Sequence, residues 1–165
     1  MELHYSNFVP FVLIPFIGWG VRHHLIRVGE WLPLKKSTFA VGISAYFLTE
    51  VARSFYRPYI YANRINDYHI ADTLGNSFGT VTAIFMLLTM IRSDHMKPHQ
   101  IILMTFIGLI GYEVLSASES HRIDVWDLGA TVVFTLLSTA LYYGILVPKA
   151  NRHIQKADEV PQTFL

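Results

Sequence analysis

The sequence predicts an all-α, polytopic transmembrane helical bundle of about five spans, and three observations carry that expectation. Apolar residues fill 52% of the 165 positions and charged residues only 15%, against about one quarter charged in a soluble domain. Two uncharged runs, 73–91 and 128–147, are each long enough to cross a hydrocarbon core about 30 Å thick at about 1.5 Å per residue. Two further apolar runs, 37–52 and 101–118, are broken by one acid each, Glu50 and Glu113, near the far end of the run.

In chain order, the first apolar segment, 3–21, contains Pro10, Pro15, Gly18 and Gly20. It reads as a kinked span or a re-entrant anchor. It lacks a basic leading region and a small-residue cleavage site, which argues against a removable signal peptide. Residues 22–36 mix basic and apolar side chains at loosely helical spacing and are expected to lie in the interface. Trp19 and Trp31 suit the aromatic belt there, and His23 and His24 are expected to meet head groups or water. The second span covers 37–56, the third 72–91, the fourth 100–118 and the fifth 127–147, all within one membrane domain. Gly75 and Gly79 form a GxxxG pair in the third span, whose ordinary meaning is close helix packing. The remaining residues, 149–165, form a polar tail expected to fray.

Composition also excludes several classes. The net charge is +1, from 13 basic and 12 acidic residues, and no run of Lys and Arg could follow a phosphate backbone, so nucleic acid is not a partner. The absence of cysteine rules out disulfides, thiolate metal sites and cysteine nucleophiles. Neither a phosphate loop nor a dinucleotide fingerprint occurs.

Basic residues cluster at Arg22, Arg27, Lys35 and Lys36, at Arg92 and Lys97, and at Lys149, Arg152 and Lys156. By the positive-inside rule these segments are cytoplasmic, with the N-terminus outside and the C-terminus inside. Glu50 and Glu113 then lie roughly 21 to 24 Å up the membrane, toward the outer face.

Each acid leads into a polar stretch. The first runs Glu50, Arg53, Arg57, Arg64, Asp67, His69, Asp72, Asn76, Gly79; the second runs Glu113, Glu119, His121, Arg122, Asp124, Asp127. Matching order and direction point to a parallel repeat of a helical hairpin. Asp72 and Asp127 each head a span, where a carboxylate caps free amides and meets the positive end of the helix dipole. Glu50 and Glu113 sit at the opposite, unfavourable kind of end and call for a basic partner. Arg53, Arg64 and Arg122 are the candidates, since a guanidinium holds a carboxylate with two hydrogen bonds. Tyr56, Tyr59, Tyr61 and Tyr68 crowd the connection after Glu50, as an aromatic belt or as a platform for a sugar.

The first stretch resembles the signature of VanZ-like membrane proteins, in which a span ending in an acid leads to Arg, then Asp, Asp, Asn and Gly entering the next span. Asp72, Asn76 and Gly79 match in type and spacing. The second stretch resembles the same signature with Asp124 and Asp127 intact and with Thr131 and Phe134 in place of Asn and Gly. His69 stands where the first copy would carry its earlier Asp, and the Gln that follows the acid in the family is missing from both. The resemblance covers residues 42–146. It implies a small helical protein of the cell envelope, in a bacterial inner membrane, with relatives tied to resistance to a glycopeptide antibiotic. No defined reaction comes with it.

Three function classes follow. The first is an envelope protein whose outward Arg/carboxylate cluster binds a lipid or glycan head group or locks the helices. The second is a small accessory subunit of a larger membrane assembly. The third is an enzyme acting on a lipid-linked substrate, with Glu50, Glu113, Asp124 and Asp127 around a divalent cation and His69 or His121 as base or ligand. No HExxH motif supports a zinc site, and no resident metal or cofactor is expected. The expected partners are membrane lipids, a lipid-linked glycan and other membrane proteins.

Overall fold

The computed structural model describes residues 8–120 and 124–158. Seven α-helical segments are named in chain order: α1 (Val9–Arg27), α2 (Pro33–Val51), α3 (Arg57–Ala62), α4 (Ile70–Met90), α5 (Pro98–Ser120), α6 (Val125–Leu141) and α7 (Val147–Asp158). A π turn, Ala52–Tyr56, joins α2 to α3, and another, Tyr142–Leu146, joins α6 to α7, so the chain forms five continuous rods.

Both π turns have the same local cause. Pro58 and Pro148 each follow a π turn by two residues. A proline has no amide to give its i−4 carbonyl, and its ring crowds that carbonyl. The helix answers by widening one turn: Arg57 N–H bonds Ala52 O, and Val147 N–H bonds Tyr142 O, each five residues back. Neither rod breaks.

The ends of the helices use three devices. α1 stops at Gly29, at φ 74°, where Glu30 N–H reaches Leu25 O and Gly29 N–H reaches Ile26 O, a Schellman turn. α3 ends in the same hydrogen-bond pattern, Ile65 to Ile60 and Arg64 to Tyr61, with Arg64 in the left-handed position at φ 52°. α6 begins at Asp124, whose carboxylate accepts from the amides of Trp126 and Asp127. Asp67 accepts the Ala71 amide at 2.6 Å and so caps α4. Capping therefore belongs to Asp67 and Asp124, whereas Asp72 and Asp127, expected to cap, stand within the first turns.

Several boundaries differ from the sequence expectation. Residues 22–27 continue α1, Pro15 notwithstanding, so no separate interfacial helix exists there. The polar tail is helical through Asp158, because α7 extends the rod of the last span.

Val9–Arg27, Ile70–Met90, Pro98–Ser116 and Val125–Arg152 are each long and apolar enough to cross a membrane. α2 is less apolar, since it holds Lys35, Lys36 and Glu50, yet it runs antiparallel along the whole of α4. Lys35 meets the last turn of α4, Gly42 lies against Met86, and Arg53 lies against Gly75. A helix lying along a span over its full length spans with it, and the bundle is embedded in a membrane.

α4 is the centre. α5 is antiparallel to it, and α6 lies parallel, with His69 stacked on Trp126 at 5.9 Å and Phe78 meeting Phe134 at 6.1 Å. The hairpins α2–α4 and α5–α6 therefore share one sense, as a parallel repeat requires. α1 is peripheral and reaches α2 through Phe8, Phe11, Phe47 and Phe55.

Lipid tails are as apolar as leucine, so close packing has to hold the helices together. The buried face of α2 is Lys35, Thr38, Gly42, Ala45 and Thr49, a seam at alternating spacings of three and four. Gly42 is the close approach, because a Cβ there would come within 3.2 Å of the Met86 backbone nitrogen. At Gly79 a Cβ would meet nothing within 4 Å, so the GxxxG pair is not a close-packing motif here. One apolar cluster, Ile84, Phe85, Leu88, Ile101, Ile102, Tyr142 and Leu146, fills the bundle toward one end. The basic segments gather at that end, and Asp72, Glu113 and Asp127 lie toward the other.

Candidate functional site

The polar residues converge where α3, α4, α5 and α6 meet at the acid end. The rod through the π turn carries Arg57 and Tyr61 over the start of α4. Arg57 Nη2 lies 3.3 Å from Asp72 Oδ1, and the Tyr61 hydroxyl donates to the same oxygen. His69 Nδ1 lies 3.5 Å from Asp72 Oδ2. Asp72 is thus compensated within its own hairpin, at the favourable end of the α4 dipole.

One turn deeper, Asn76 Nδ2 donates to Glu113 Oε1 at 3.0 Å and ties α4 to α5. The same amide faces Asp127 on α6. Asp127 Oδ1 is closed off from solvent and has no hydrogen-bond partner among the described residues. Asp124, Glu113 and Asp72 all lie near enough to repel it. Among the described residues no cation forms an ion pair with Glu113 or Asp127, so the two acids share one neutral amide. Such a site can receive a ligand rich in hydrogen-bond donors, hydroxyl or ammonium. Its rim carries Tyr68 and Trp126, 83% and 64% exposed, with the Trp126 indole stacked on His69.

The other expected site residues fall as follows. Glu50 is half-buried on α2 and interacts with Tyr46 of its own helix, where Arg53 also lies. It does not join the Asn76 and Glu113 pair. The Arg53 stem passes over Gly75, 3.5 Å from where a Cβ would stand. Arg64 is exposed and terminates α3. It pairs with no acid among the described residues. Asp67 and Asp124 cap helices, and His121 and Arg122 lie outside the described residues. Arg57 and Tyr61 partner Asp72, not the Glu50 or Glu113 for which the sequence offers Arg64 as a candidate. Their signal in the sequence is the i, i+4 spacing across Pro58, legible only once Pro58 is seen to widen the helix without ending it. Among the described residues, no three His, Asp or Glu side chains are placed to hold a metal ion.

No known family model matches the chain, and neither any curated protein nor any solved structure does.

Proposed function

We propose that this chain is a VanZ-like integral membrane protein of the cell envelope, whose acid end faces outward from a bacterial inner membrane and binds the glycan head group of a lipid. The observation that carries the reading is Asp127 Oδ1, sheltered and without a partner among the described residues, beside the Asn76 and Glu113 pair. A sugar brings many hydroxyl donors, which carboxylate oxygens accept in strong, charge-assisted hydrogen bonds. It also has apolar C–H faces, which suit the exposed rings of Trp126 and Tyr68. The match of Asp72, Asn76 and Gly79 to the VanZ-like signature supports the family, and the basic segments at the opposite end support the orientation.

The test is native mass spectrometry of the chain extracted with its lipids. Glycolipid adducts are expected on the wild type and are expected to be lost in Asp127→Asn and Glu113→Gln, both of which keep side-chain shape. Equal retention of the same adducts by all three proteins refutes the assignment.

A further inference from the structure

Hydroxyl groups in the bundle follow a rule with two exceptions. Thr49, Ser77, Thr80, Thr89, Thr105 and Thr131 are all buried, and each donates to the backbone carbonyl four residues back. Thr38 donates to a carbonyl three residues back. Thr135 and Ser138 are as deeply buried, at 9% and 2% exposure, yet neither hydroxyl has a hydrogen-bond partner among the described residues. A hydroxyl left unpaired in an apolar interior costs about 1–3 kcal/mol. Two on one helix face are places where water can supply the missing bonds.

Their positions form a line. Asp127, Thr131, Thr135 and Ser138 recur at i, i+4, i+8 and i+11 on α6, so all four share one face, with neighbours about 5–6 Å apart. That gap suits one water between each pair, bonded at about 2.8 Å to both sides. The line begins at the sheltered Asp127 Oδ1. On α4, which meets α6 through Phe78 and Phe134, Ser77 and Thr80 are also buried. Their oxygens keep a free lone pair after donating to the backbone. One turn past Ser138 stands Tyr142, which belongs to the apolar cluster with Ile84, Phe85 and Leu88.

We infer that the buried face of α6 lines a water-filled half-channel, which opens at the Asp127 end, passes Thr131 and Thr135, and closes beyond Ser138 on the apolar cluster. Eleven residues at about 1.5 Å each make it roughly 16 Å long, about half of a 30 Å hydrocarbon core. Its occupants are water and the protons that water carries, so Asp127 and Glu113 stay in proton exchange with the bundle interior. The inference needs no head-group ligand.

The test is solid-state NMR of the full chain in bilayers, following magnetisation transfer from water to side chains. Thr135 and Ser138 are expected to receive it about as fast as Asp127, and several-fold faster than Ile84 in the apolar cluster. A second measurement uses stability in nanodiscs. If the hydroxyls hold water, Thr135→Val and Ser138→Ala lower the unfolding temperature; if they are dry, removing an unsatisfied group raises it. Transfer to Thr135 and Ser138 as slow as to Ile84, or a raised unfolding temperature in both variants, overturns the half-channel. Loss of glycolipid adducts bears only on the head-group reading, so the two proposals fail separately.

Discussion

Lys35→Met is expected to destabilise the bundle by about 3 kcal/mol, more than any other single change at the basic end. Lys35 is 6% exposed, and its ammonium donates to Leu88 O at 2.8 Å and Ile91 O at 2.6 Å. Those carbonyls lie where α4 stops, in the last turn whose acceptors have no helical donor, and a cation there also meets the negative end of the dipole. Glu30 Oε2 stands 3.6 Å away. A charged hydrogen bond contributes about 1.5–3 kcal/mol, and removing one partner of a buried pair costs about 3–5 kcal/mol. The lower part of that range applies, because Arg92 also approaches Glu30 at 3.8 Å and takes over some of its charge. Methionine keeps the length and the unbranched shape, so packing changes little. The assay is reversible unfolding in mixed micelles, with amide exchange read in the last turn of α4. Adding Glu30→Gln is expected to recover part of the loss, since no buried charge is then left alone. A Lys35→Met protein as stable as the wild type to within about 0.5 kcal/mol, with an unchanged last turn, refutes the reasoning.

Three further outcomes follow from local geometry. Gly42→Leu overpacks the contact with Met86 and is expected to cost about 1–3 kcal/mol in the same unfolding assay, whereas Gly79→Ala, facing open space, is expected to be neutral or slightly stabilising. Arg57→Gln breaks a pair whose side chains are 48% and 30% exposed, so its stability loss is expected to stay below about 1 kcal/mol; a larger loss would mean that the pair holds α3 in place. Outside the spans, a hydrogen bond from His95 Nδ1 at 2.8 Å, helped by Arg92, holds Asp94 below the usual carboxylate range. Its contribution to stability is therefore present above about pH 3.9 and is lost as pH falls through its lower folded value. An NMR titration of the Asp94 carboxyl carbon is expected to give a midpoint under that reference, and a midpoint above it counts against the contact.

Hydropathy made the membrane bundle legible, because crossing a membrane imposes length and apolarity on every span. It misjudged what lies inside those spans. Lys35 counts as an inside-facing positive charge on any hydropathy scale, yet it occupies the same three-four seam as Thr38, Gly42, Ala45 and Thr49. The seam was visible in the sequence, but a buried lysine becomes plausible only when the chain end of α4 is known to supply two bare carbonyls. The π turns were illegible for a related reason. A proline in an apolar run marks a disturbed helix without saying whether it ends, and only the hydrogen bonds five residues back, at Arg57 and Val147, show that each rod continues.

At the acid end, the departures from internal symmetry make sense once the helices are in place. A symmetric pair of hairpins would give Glu113 a partner from α4 and Glu50 a partner from α6. The first bond exists, from Asn76 to Glu113. The second does not, because α4 stands between α2 and α6; Thr131, the residue matching Asn76, turns its hydroxyl back to Asp127 O at 2.9 Å. Phe134, standing where the first copy has Gly79, packs against Phe78 instead. One amide from the first hairpin therefore serves the acids of the second, and Glu50 lies with Tyr46 and Arg53 on its own helix. The two matched acids suggested one shared site with equal halves. The helices build an unequal one, in which the first hairpin neutralises its own Asp72, whereas among the described residues Glu113 and Asp127 form no ion pair and Arg57 acts on Asp127 only from beyond ion-pair distance. That imbalance is why the binding reading and the half-channel both start from Asp127, and neither starts from Glu50.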